Sequence, residues 1–272
     1  MTPSESIRLS NGVMVPAIGF GTWLIGNDKA RDAVKTALEC GYRHIDTAQA
    51  YENEDGVGRG LRSSGLERED VFLTTKVAAE IKDYANARKS IDDSLRRLHM
   101  EYADLILIHC PQPWAEYRSP KRYFEENLEV WRALEDALKE GKTRSIGISN
   151  FLEIDIRNIL EACSVRPMVN QIKIHIGKTP TELIEYCRKE GIAVEAYSPI
   201  AHGHAVHDPA IRDMAESYGV TPAQLCIRYT LQLGTISLPK STDPEHIADN
   251  IKMDFQISER DMKYLEQMSL NY

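Results

Sequence analysis

Residues 71–109 read VFLTTKVAAEIKDYANARKSIDDSLRRLHMEYADLILIH. Two β-rich runs, Val71 to Lys76 and Ala103 to His109, flank a longer segment from Ala85 to Leu98 whose apolar residues recur at helical spacing. Two strands joined by a helical crossover of this length are typical of a parallel pair. The stretch therefore predicts one strand–helix–strand unit.

The same alternation of short β-rich runs and longer amphipathic segments continues along the chain. Six further strands are predicted at Ala17 to Gly21, Arg43 to Asp46, Arg144 to Ser149, Met168 to Ile172, Ala193 to Tyr197 and Thr235 to Pro239. Further helices are predicted at Lys29 to Glu39, Leu128 to Lys139, Thr181 to Lys189 and Ala223 to Gln232. Eight strand–helix units without a linker rich in Pro, Gly or Ser fit an α/β fold, the closed (β/α)₈ TIM barrel, for which about 250 residues is typical. We therefore expect one barrel domain over residues 1–272.

An open doubly wound sheet is the main alternative to the barrel. That fold usually carries the nucleotide-binding pattern Gly-x-Gly-x-x-Gly after its first strand. The pattern is absent here, because the segments GFG at 19–21 and GVGRG at 56–60 both break it. The barrel remains the preferred prediction.

Two segments lie outside the strand–helix repeat. Ile7 to Leu9 and Val13 to Val15 are joined by a turn containing Asn11-Gly12, which is typical of a β-hairpin. We expect this hairpin to plug one mouth of the barrel. A helical pattern after Glu259 predicts a helix packed outside it.

Composition excludes several classes of protein. No run of about 18 apolar residues exists, and Met1 to Ser10 lacks a basic start and an apolar segment, so we expect neither a membrane span nor a signal peptide but a cytoplasmic protein. A net charge of -8 repels the phosphate backbone of nucleic acids. The five cysteines are scattered without a Cys-x-x-Cys pair, which argues against a metal or redox site.

Four polar residues fall at the carboxyl ends of consecutive predicted strands, where barrel enzymes carry their catalytic groups. Asp46, Lys76 and His109 each end a strand, and Tyr51 lies in the loop after Asp46. Each alone has a structural explanation, as a helix cap, a solvated lysine or a buried histidine. Their occurrence together at one mouth predicts an active site.

The chemistry of these four side chains is coherent. Tyrosine, with an ordinary pKa near 10, is a poor proton donor unless a cation stabilises its phenolate, and Lys76 supplies that charge. Asp46 supplies the counter-charge that a buried ammonium needs. His109 is then free to hydrogen-bond a substrate oxygen. Proton donation to an oxygen that becomes negative suits carbonyl reduction, and the hydride must come from a cofactor.

Several spaced motifs match a known family. Asp46-Thr-Ala-Gln-Ala-Tyr51 is followed by Lys76 in Leu-Thr-Thr-Lys and His109 in Ile-Leu-Ile-His, and the other matching segments are GFGTW at 19–23, GISNF at 147–151, NQ at 170–171, AYSP at 196–199 and PKS at 239–241. The chain resembles the aldo-keto reductases over nearly its whole length, in particular the small bacterial type that includes 2,5-diketo-D-gluconate reductases. The resemblance implies reduction of small aldehydes, ketones, dicarbonyls or keto-sugars with NADPH, with Tyr51 as the general acid.

The resemblance also implies contacts to the cofactor and the substrate. Ser149, Asn150 and Gln171 would hold the nicotinamide carboxamide, and Tyr197 would stack on its ring. The remaining cofactor contacts would be Thr22 and Asp46 at the adjoining ribose, Ser198 and Ile200 along the pyrophosphate, Lys240, Ser241 and Thr242 at the 2′-phosphate, and Asn250 near the adenine. Trp23, Tyr51, His109, Cys110 and Trp114 would line the substrate pocket.

The sequence departs from the family pattern at a few positions. His246 replaces a usual arginine, which predicts a smaller preference for NADPH over NADH because histidine carries a full charge only below its pKa. Cys110 replaces a usual tryptophan, so the pocket loses a wall for which Trp23 or Trp114 compensates; Trp114 is equally well explained as a loop aromatic. Lys173 stands where a glutamate is common, and Ala201 where a glycine is common.

Other functions remain open at this stage. The chain ends at Tyr272 without the extended C-terminal loop of mammalian relatives, which predicts an open pocket. The family includes cofactor-binding regulatory and structural members, which are an alternative to an enzyme. A Schiff-base aldolase that uses Lys76 as its nucleophile is a second alternative. We expect no metal, and a monomer whose partner is a small carbonyl compound.

Overall fold

A computed structural model describes residues 5–270 and confirms the barrel. Eight parallel strands pair in the order of the chain, namely β3 (Phe20–Gly21), β4 (His44–Asp46), β5 (Phe72–Val77), β6 (Leu105–Ile108), β7 (Ile146–Ser149), β8 (Val169–Lys173), β9 (Ala193–Tyr197) and β10 (Ile236–Leu238). The two ends of this sheet also meet, because Gly19 donates to the Ser237 carbonyl at 2.8 Å and Gly21 to the Pro239 carbonyl at 2.9 Å. The strands therefore form a closed barrel and not an open sheet.

Helices surround the strands. They are α1 (Asn27–Glu39), α2 (Glu54–Ser63), α3 (Tyr84–Leu98), α4 (Phe124–Lys139), α5 (Glu153–Ala162), α6 (Thr181–Lys189), α7 (Pro209–Ser217), α8 (Pro222–Gln232), α9 (Pro244–Asp249) and α10 (Glu259–Gln267). Helix α10 is the helix predicted after Glu259, and it packs outside the barrel through Leu265 against α8 residues such as Leu225 and Tyr229. Within residues 5–270 no helix is both long and apolar enough to cross a bilayer.

The N-terminal hairpin lies at the end of the barrel opposite the carboxyl ends of the strands. Strand β1 (Ser6–Arg8) pairs antiparallel with β2 (Met14–Pro16), and Ile7 faces Val15 in register. Asn11 in the turn donates to the carbonyl of Arg144 at 2.9 Å, just before β7 begins. Leu9 and Val15 are buried with the strands of the barrel. The predicted hairpin is thus confirmed, and it contacts the amino ends of the strands.

Helix α2 was not predicted, because its three glycines disfavour a helix. The structure shows why glycines stand there. A Cβ added to Gly58 would lie 2.0 Å from the carbonyl oxygen of Leu98, and one added to Gly56 would lie 2.3 Å from that of Asn27. The glycines therefore let α2 approach α1 and the end of α3 more closely than any side chain permits.

Residues 1–4, 271 and 272 lie outside the described part of the chain. The predicted single domain over residues 1–272 therefore stays a prediction at both ends. All five cysteines are free thiols. Among the described residues, no group of three His, Cys, Asp or Glu side chains is arranged to hold a metal ion.

Candidate active site

The four predicted catalytic side chains meet at one mouth of the barrel. Asp46 is the last residue of β4, Lys76 lies next to the end of β5, and His109 directly follows β6. Tyr51 ends the short 3₁₀ turn Gln49–Tyr51 that leaves β4. Because parallel strands end at the same rim, the sequence positions bring all four side chains into one place.

Lys76 lies at the centre of this group and is fully buried. Its Nζ donates to both carboxylate oxygens of Asp46 at 2.8 Å, to the carbonyl of Thr47 at 2.9 Å and to the hydroxyl oxygen of Tyr51 at 3.3 Å. Burial alone would lower the pKa of Lys76, but Asp46 and Tyr51 together hold that pKa above its ordinary value. The side chain is therefore a charged ammonium held in a dry environment.

The pKa of Tyr51 reflects two opposing effects. Burial raises this pKa above its ordinary value and the Asp46 carboxylate adds to that, whereas the Lys76 ammonium lowers it. A phenolate at this position would be paired with Lys76 at hydrogen-bond distance. The lysine is thus the group that makes loss of the tyrosine proton less costly.

His109 is a neutral imidazole at physiological pH. Burial lowers its pKa well below the ordinary value, and the charge on Lys76 lowers it further. Its ring packs edge-on against Tyr51 at a centroid distance of 5.5 Å and against Trp114 at 5.1 Å. A neutral ring in this position can offer an N–H group to the cleft without adding a second cation.

Sequence reasoning missed a buried polar layer beneath Asp46. The Nε2 atom of Gln171 donates to Asp46 and to Glu195, both at 2.8 Å. Burial, followed by the charge of Asp46, raises the pKa of Glu195 from 4.5 to about 8. Glu195 lies two residues before Tyr197 on β9, so the two side chains share the inner face of the strand. The alternation of side chains along a strand could therefore have placed Glu195 next to the site from the sequence alone.

A cleft of about 1060 Å³ opens above these residues. Twelve of the predicted site residues line it: Trp23, Asp46, Tyr51, His109, Trp114, Ser149, Asn150, Gln171, Tyr197, Ser198, Ile200 and Lys240. Seven do not: Thr22, Lys76, Cys110, Ser241, Thr242, His246 and Asn250. Thr22 is fully buried and donates to the Asp46 carbonyl at 2.9 Å. Ser241 and Thr242 lie in the loop after Lys240, His246 lies on helix α9, and Asn250 directly follows that helix.

Trp114, and not Cys110, lies in the wall of the cleft. Cys110 is fully buried and its carbonyl accepts a hydrogen bond from Lys82 at 3.0 Å. Burial raises the pKa of the Cys110 thiol to about 11, so this cysteine is an inert apolar group. Trp114 packs against His109 instead, which favours its interpretation as a compensating wall over that of a simple loop aromatic.

One side of the cleft holds an already connected set of amides and hydroxyls. Asn150 donates to the His109 carbonyl at 3.0 Å and to Ser149 at 3.1 Å, and its Oδ1 accepts from Tyr197 at 2.8 Å. Ser149 donates to the Gln171 carbonyl at 2.9 Å. These bonds fix the orientation of the amides, which is what recognition of a planar carboxamide requires.

The chemistry of the other end of the cleft suits a phosphorylated group. In the part of the chain that the structure describes, Lys240 forms no ion pair, and the neighbouring Ser241 and Thr242 carry hydroxyls. His246 is exposed on α9. The residues present therefore fit a phosphorylated group at this end of the cleft.

Comparisons with known proteins identify relatives of this chain. Residues 17–270 match the model of the Aldo/keto reductase family. The chain is 37% identical over 267 residues to a glyoxal reductase of Bacillus subtilis, which covers 97% of this chain and 93% of that protein. An aldo/keto reductase structure from Brucella melitensis is 37% identical, with a TM-score of 0.89 over 96% of this chain and 98% of that one. A Bombyx mori aldo-keto reductase in complex with NADP is 33% identical, with a TM-score of 0.88 over 98% and 93%.

The TIM barrel, the family match and the relatives together identify the chain as an oxidoreductase. The chain belongs to the aldo/keto reductase family, as the match over residues 17–270 shows.

Proposed function

We propose that this protein reduces small aldehydes, ketones, dicarbonyls or keto-sugars with NADPH. The proposal is supported by the family, by the glyoxal reductase among the relatives, and by the NADP complex among the similar structures. The main structural observation behind the proposal is the 3.3 Å contact between the buried Lys76 ammonium and the hydroxyl of Tyr51.

Tyr51 is the general acid in this proposal. Its hydroxyl proton passes to the carbonyl oxygen of the substrate while that oxygen gains negative charge, and the phenolate left behind is paired with Lys76. Asp46 keeps Lys76 charged, since it offers both carboxylate oxygens at 2.8 Å. His109 donates an N–H bond to the same substrate oxygen and so orients it. Such proton transfer is worth about 10² to 10⁴ in rate.

The nicotinamide supplies the hydride, which no side chain carries. Ser149, Asn150 and Gln171 would hold its carboxamide and Tyr197 its ring. To do so, the Oδ1 atom of Asn150 would have to accept a hydrogen bond from the carboxamide in addition to the one that it already accepts from the Tyr197 hydroxyl. Thr22 would act at the ribose through its backbone position, because its hydroxyl is already donated to the Asp46 carbonyl.

The substrate would enter between two aromatic side chains. Trp23 and Trp114 are 44% and 38% exposed and line the cleft on opposite loops, so both have apolar surface left to cover. Cys110 has no part in this contact because it is buried behind the wall. The proposal includes action as a monomer, which light scattering checks.

NADPH is the proposed cofactor because Lys240, Ser241 and Thr242 remain at the predicted 2′-phosphate position. His246 would weaken the preference relative to an arginine, which pairs bidentately with phosphate. We expect NADPH to give the higher kcat/KM, and a clear preference for NADH would refute this part of the proposal.

A single panel experiment tests the function. NADPH consumption is followed with aldehydes, α-dicarbonyls and keto-sugars, and turnover with at least one class is expected. Saturable NADPH binding without turnover would indicate a regulatory or structural member of the family. Trapping of a substrate on Lys76 by borohydride would instead indicate Schiff-base chemistry.

A further inference from the structure

One wall of the cleft carries basic side chains that have no acidic partner. Lys173 is the last residue of β8, Lys178 lies in the loop after it, and His202 lies in the loop after β9; all three line the cleft. Across residues 5–270, neither lysine has a carboxylate within ion-pair distance. The charges of the two lysines are therefore not neutralised by an ion pair within the described residues.

Lys173 is close enough to Lys178 for their charges to repel, and close enough to His202 to disfavour protonation of that ring. Burial lowers the pKa of Lys173, and the charge of Lys178 lowers it further. The pKa of His202 is likewise lowered, first by burial and then by Lys173 and His204. Placing two lysines together without a counter-charge destabilises the protein, so their position against a cavity points to an anionic ligand, to which His202 can donate an N–H bond.

The charge of the whole cleft agrees with this interpretation. Among the described residues that line it, Asp46 is the only carboxylate, and its two oxygens are both bonded to Lys76. Arg118 and Lys240 add two more cations to the lining. The cleft is thus electropositive on a chain whose net charge is -8.

Lys173 and His202 lie next to the predicted path of the dinucleotide. Lys173 pairs in register with Tyr197, the residue before Ser198, and His202 follows Ile200 by two positions. Ser198 and Ile200 are the residues along which the diphosphate of the dinucleotide would lie. Lys173 therefore lies on the strand next to that segment, and His202 lies further along the same loop.

The loop after β9 is held in a strained conformation that fixes His202 at the wall. Three residues of the loop have positive φ angles, namely Ser198 (55°), Ala201 (50°) and His202 (56°). These angles lie in the left-handed region, which residues other than glycine rarely adopt. The ring of Trp23, from the loop after β3, packs edge-on against His202 at a centroid distance of 5.1 Å. This contact joins the two loops.

We propose that Lys173, Lys178 and His202 form an anion subsite that takes the diphosphate group of the dinucleotide. The proposal rests on the proposed function, since it needs the dinucleotide in this cleft. It differs from the 2′-phosphate position, which lies at Lys240 and beyond.

Binding measurements separate the two positions, because NAD⁺ and NADP⁺ share the diphosphate but only NADP⁺ carries the 2′-phosphate. Dissociation constants of both nucleotides are measured by calorimetry for the wild type, Lys173→Gln and the double variant Lys173→Gln/Lys178→Gln. We expect each lost charge to weaken both nucleotides by the same factor, about 5-fold to 10-fold. The double variant should also show a smaller slope of log Kd against log salt concentration.

Two control variants test whether the effect is specific to these lysines. Lys240→Gln should weaken NADP⁺ much more than NAD⁺. Lys89→Gln removes one charge from the exposed side of α3, away from the cleft, and should change neither Kd. Thermal unfolding of each variant checks that the barrel is intact.

Three results would overturn the subsite. Unchanged Kd values for both nucleotides in the double variant exclude any role of these lysines in nucleotide binding. A loss confined to NADP⁺ assigns them to the 2′-phosphate. Unchanged Kd values with a raised KM for glyoxylate, but not for glyoxal, assign them to an anionic substrate. A wild-type protein that binds neither nucleotide would instead refute the proposed function.

Discussion

The Nζ atom of Lys76 lies 3.3 Å from the hydroxyl oxygen of Tyr51, and the same atom donates to the Asp46 carboxylate at 2.8 Å. This relationship predicts that Lys76→Met raises the pKa of Tyr51 and weakens it as an acid. We expect kcat for carbonyl reduction to fall by at least about 100-fold. Steady-state kinetics with saturating NADPH measure the loss.

The same substitution leaves the buried Asp46 carboxylate without its cation, which costs about 3 to 5 kcal/mol in comparable buried pairs. The double variant Lys76→Met/Asp46→Asn removes both charges and should recover most of that stability in urea unfolding. Its kcat should stay low. Recovery of kcat together with stability would mean that Lys76 only supports the fold.

Tyr51→Phe is expected to remove the donor oxygen and little else. The ring keeps its edge-on contact with His109, whose centroid lies 5.5 Å away. We expect kcat to fall by about 10² to 10⁴, while the Kd of NADPH, measured by fluorescence, changes by no more than a few fold. Unchanged kcat would refute the role of Tyr51 as the general acid.

His246→Arg is expected to increase the preference for NADPH. His246 is exposed on α9, near the hydroxyls of Ser241 and Thr242, and a guanidinium there pairs with a phosphate through two hydrogen bonds. The ratio of kcat/KM for NADPH to that for NADH should rise by about tenfold. Lys240→Gln should lower the same ratio, and a ratio that His246→Arg leaves unchanged would place the 2′-phosphate elsewhere.

Gly58→Ala tests the close approach of α2 to the end of α3. Alanine favours a helix over glycine by about 1 kcal/mol, yet its Cβ would lie 2.0 Å from the backbone oxygen of Leu98. We therefore expect a net loss of about 2 to 4 kcal/mol in urea unfolding. Ser63→Ala in the same helix should change stability by less than about 0.5 kcal/mol. A stabilised Gly58→Ala protein would show that the helices move apart freely.

The difference between what the sequence predicts and what it misses follows from the range of the interactions. The eight strands and the strand-end positions of Asp46, Lys76 and His109 depend on local periodicity, so they were predictable. The helix at Glu54–Ser63 depends on contacts with Asn27 and Leu98, far along the chain, and local propensity opposes it.

The side chains around the cleft show the same limit. Trp114 packs against His109 at a centroid distance of 5.1 Å, whereas Cys110, the sequence neighbour of His109, is fully buried and does not line the cleft. The φ of Ala201 is 50°, in the left-handed region, which explains why glycine is common at this position but not why alanine stands here. Neither conformation leaves a signal in residue type or spacing.

Glu195 gives the last prediction, which concerns stability and pH. Burial raises the pKa of this carboxyl from 4.5 to about 8, so the native protein holds a proton that the unfolded chain has lost between these values. The free energy of unfolding therefore falls as pH rises through this window, by up to about 1.4 kcal/mol per pH unit, and levels off above pH 8. Glu195→Gln keeps an oxygen that accepts from Gln171 but has no proton to lose.

The stability of Glu195→Gln relative to the wild type should thus increase between pH 5 and pH 8.5. Urea unfolding at several pH values measures this difference, in which the contributions of all other titrating groups cancel. Glu185→Gln, on the exposed face of α6, serves as the matched control and should follow the wild type at every pH. Parallel curves for the wild type and Glu195→Gln would mean that Glu195 is already ionised in the native protein near neutral pH, and that the Asp46 site carries a second negative charge.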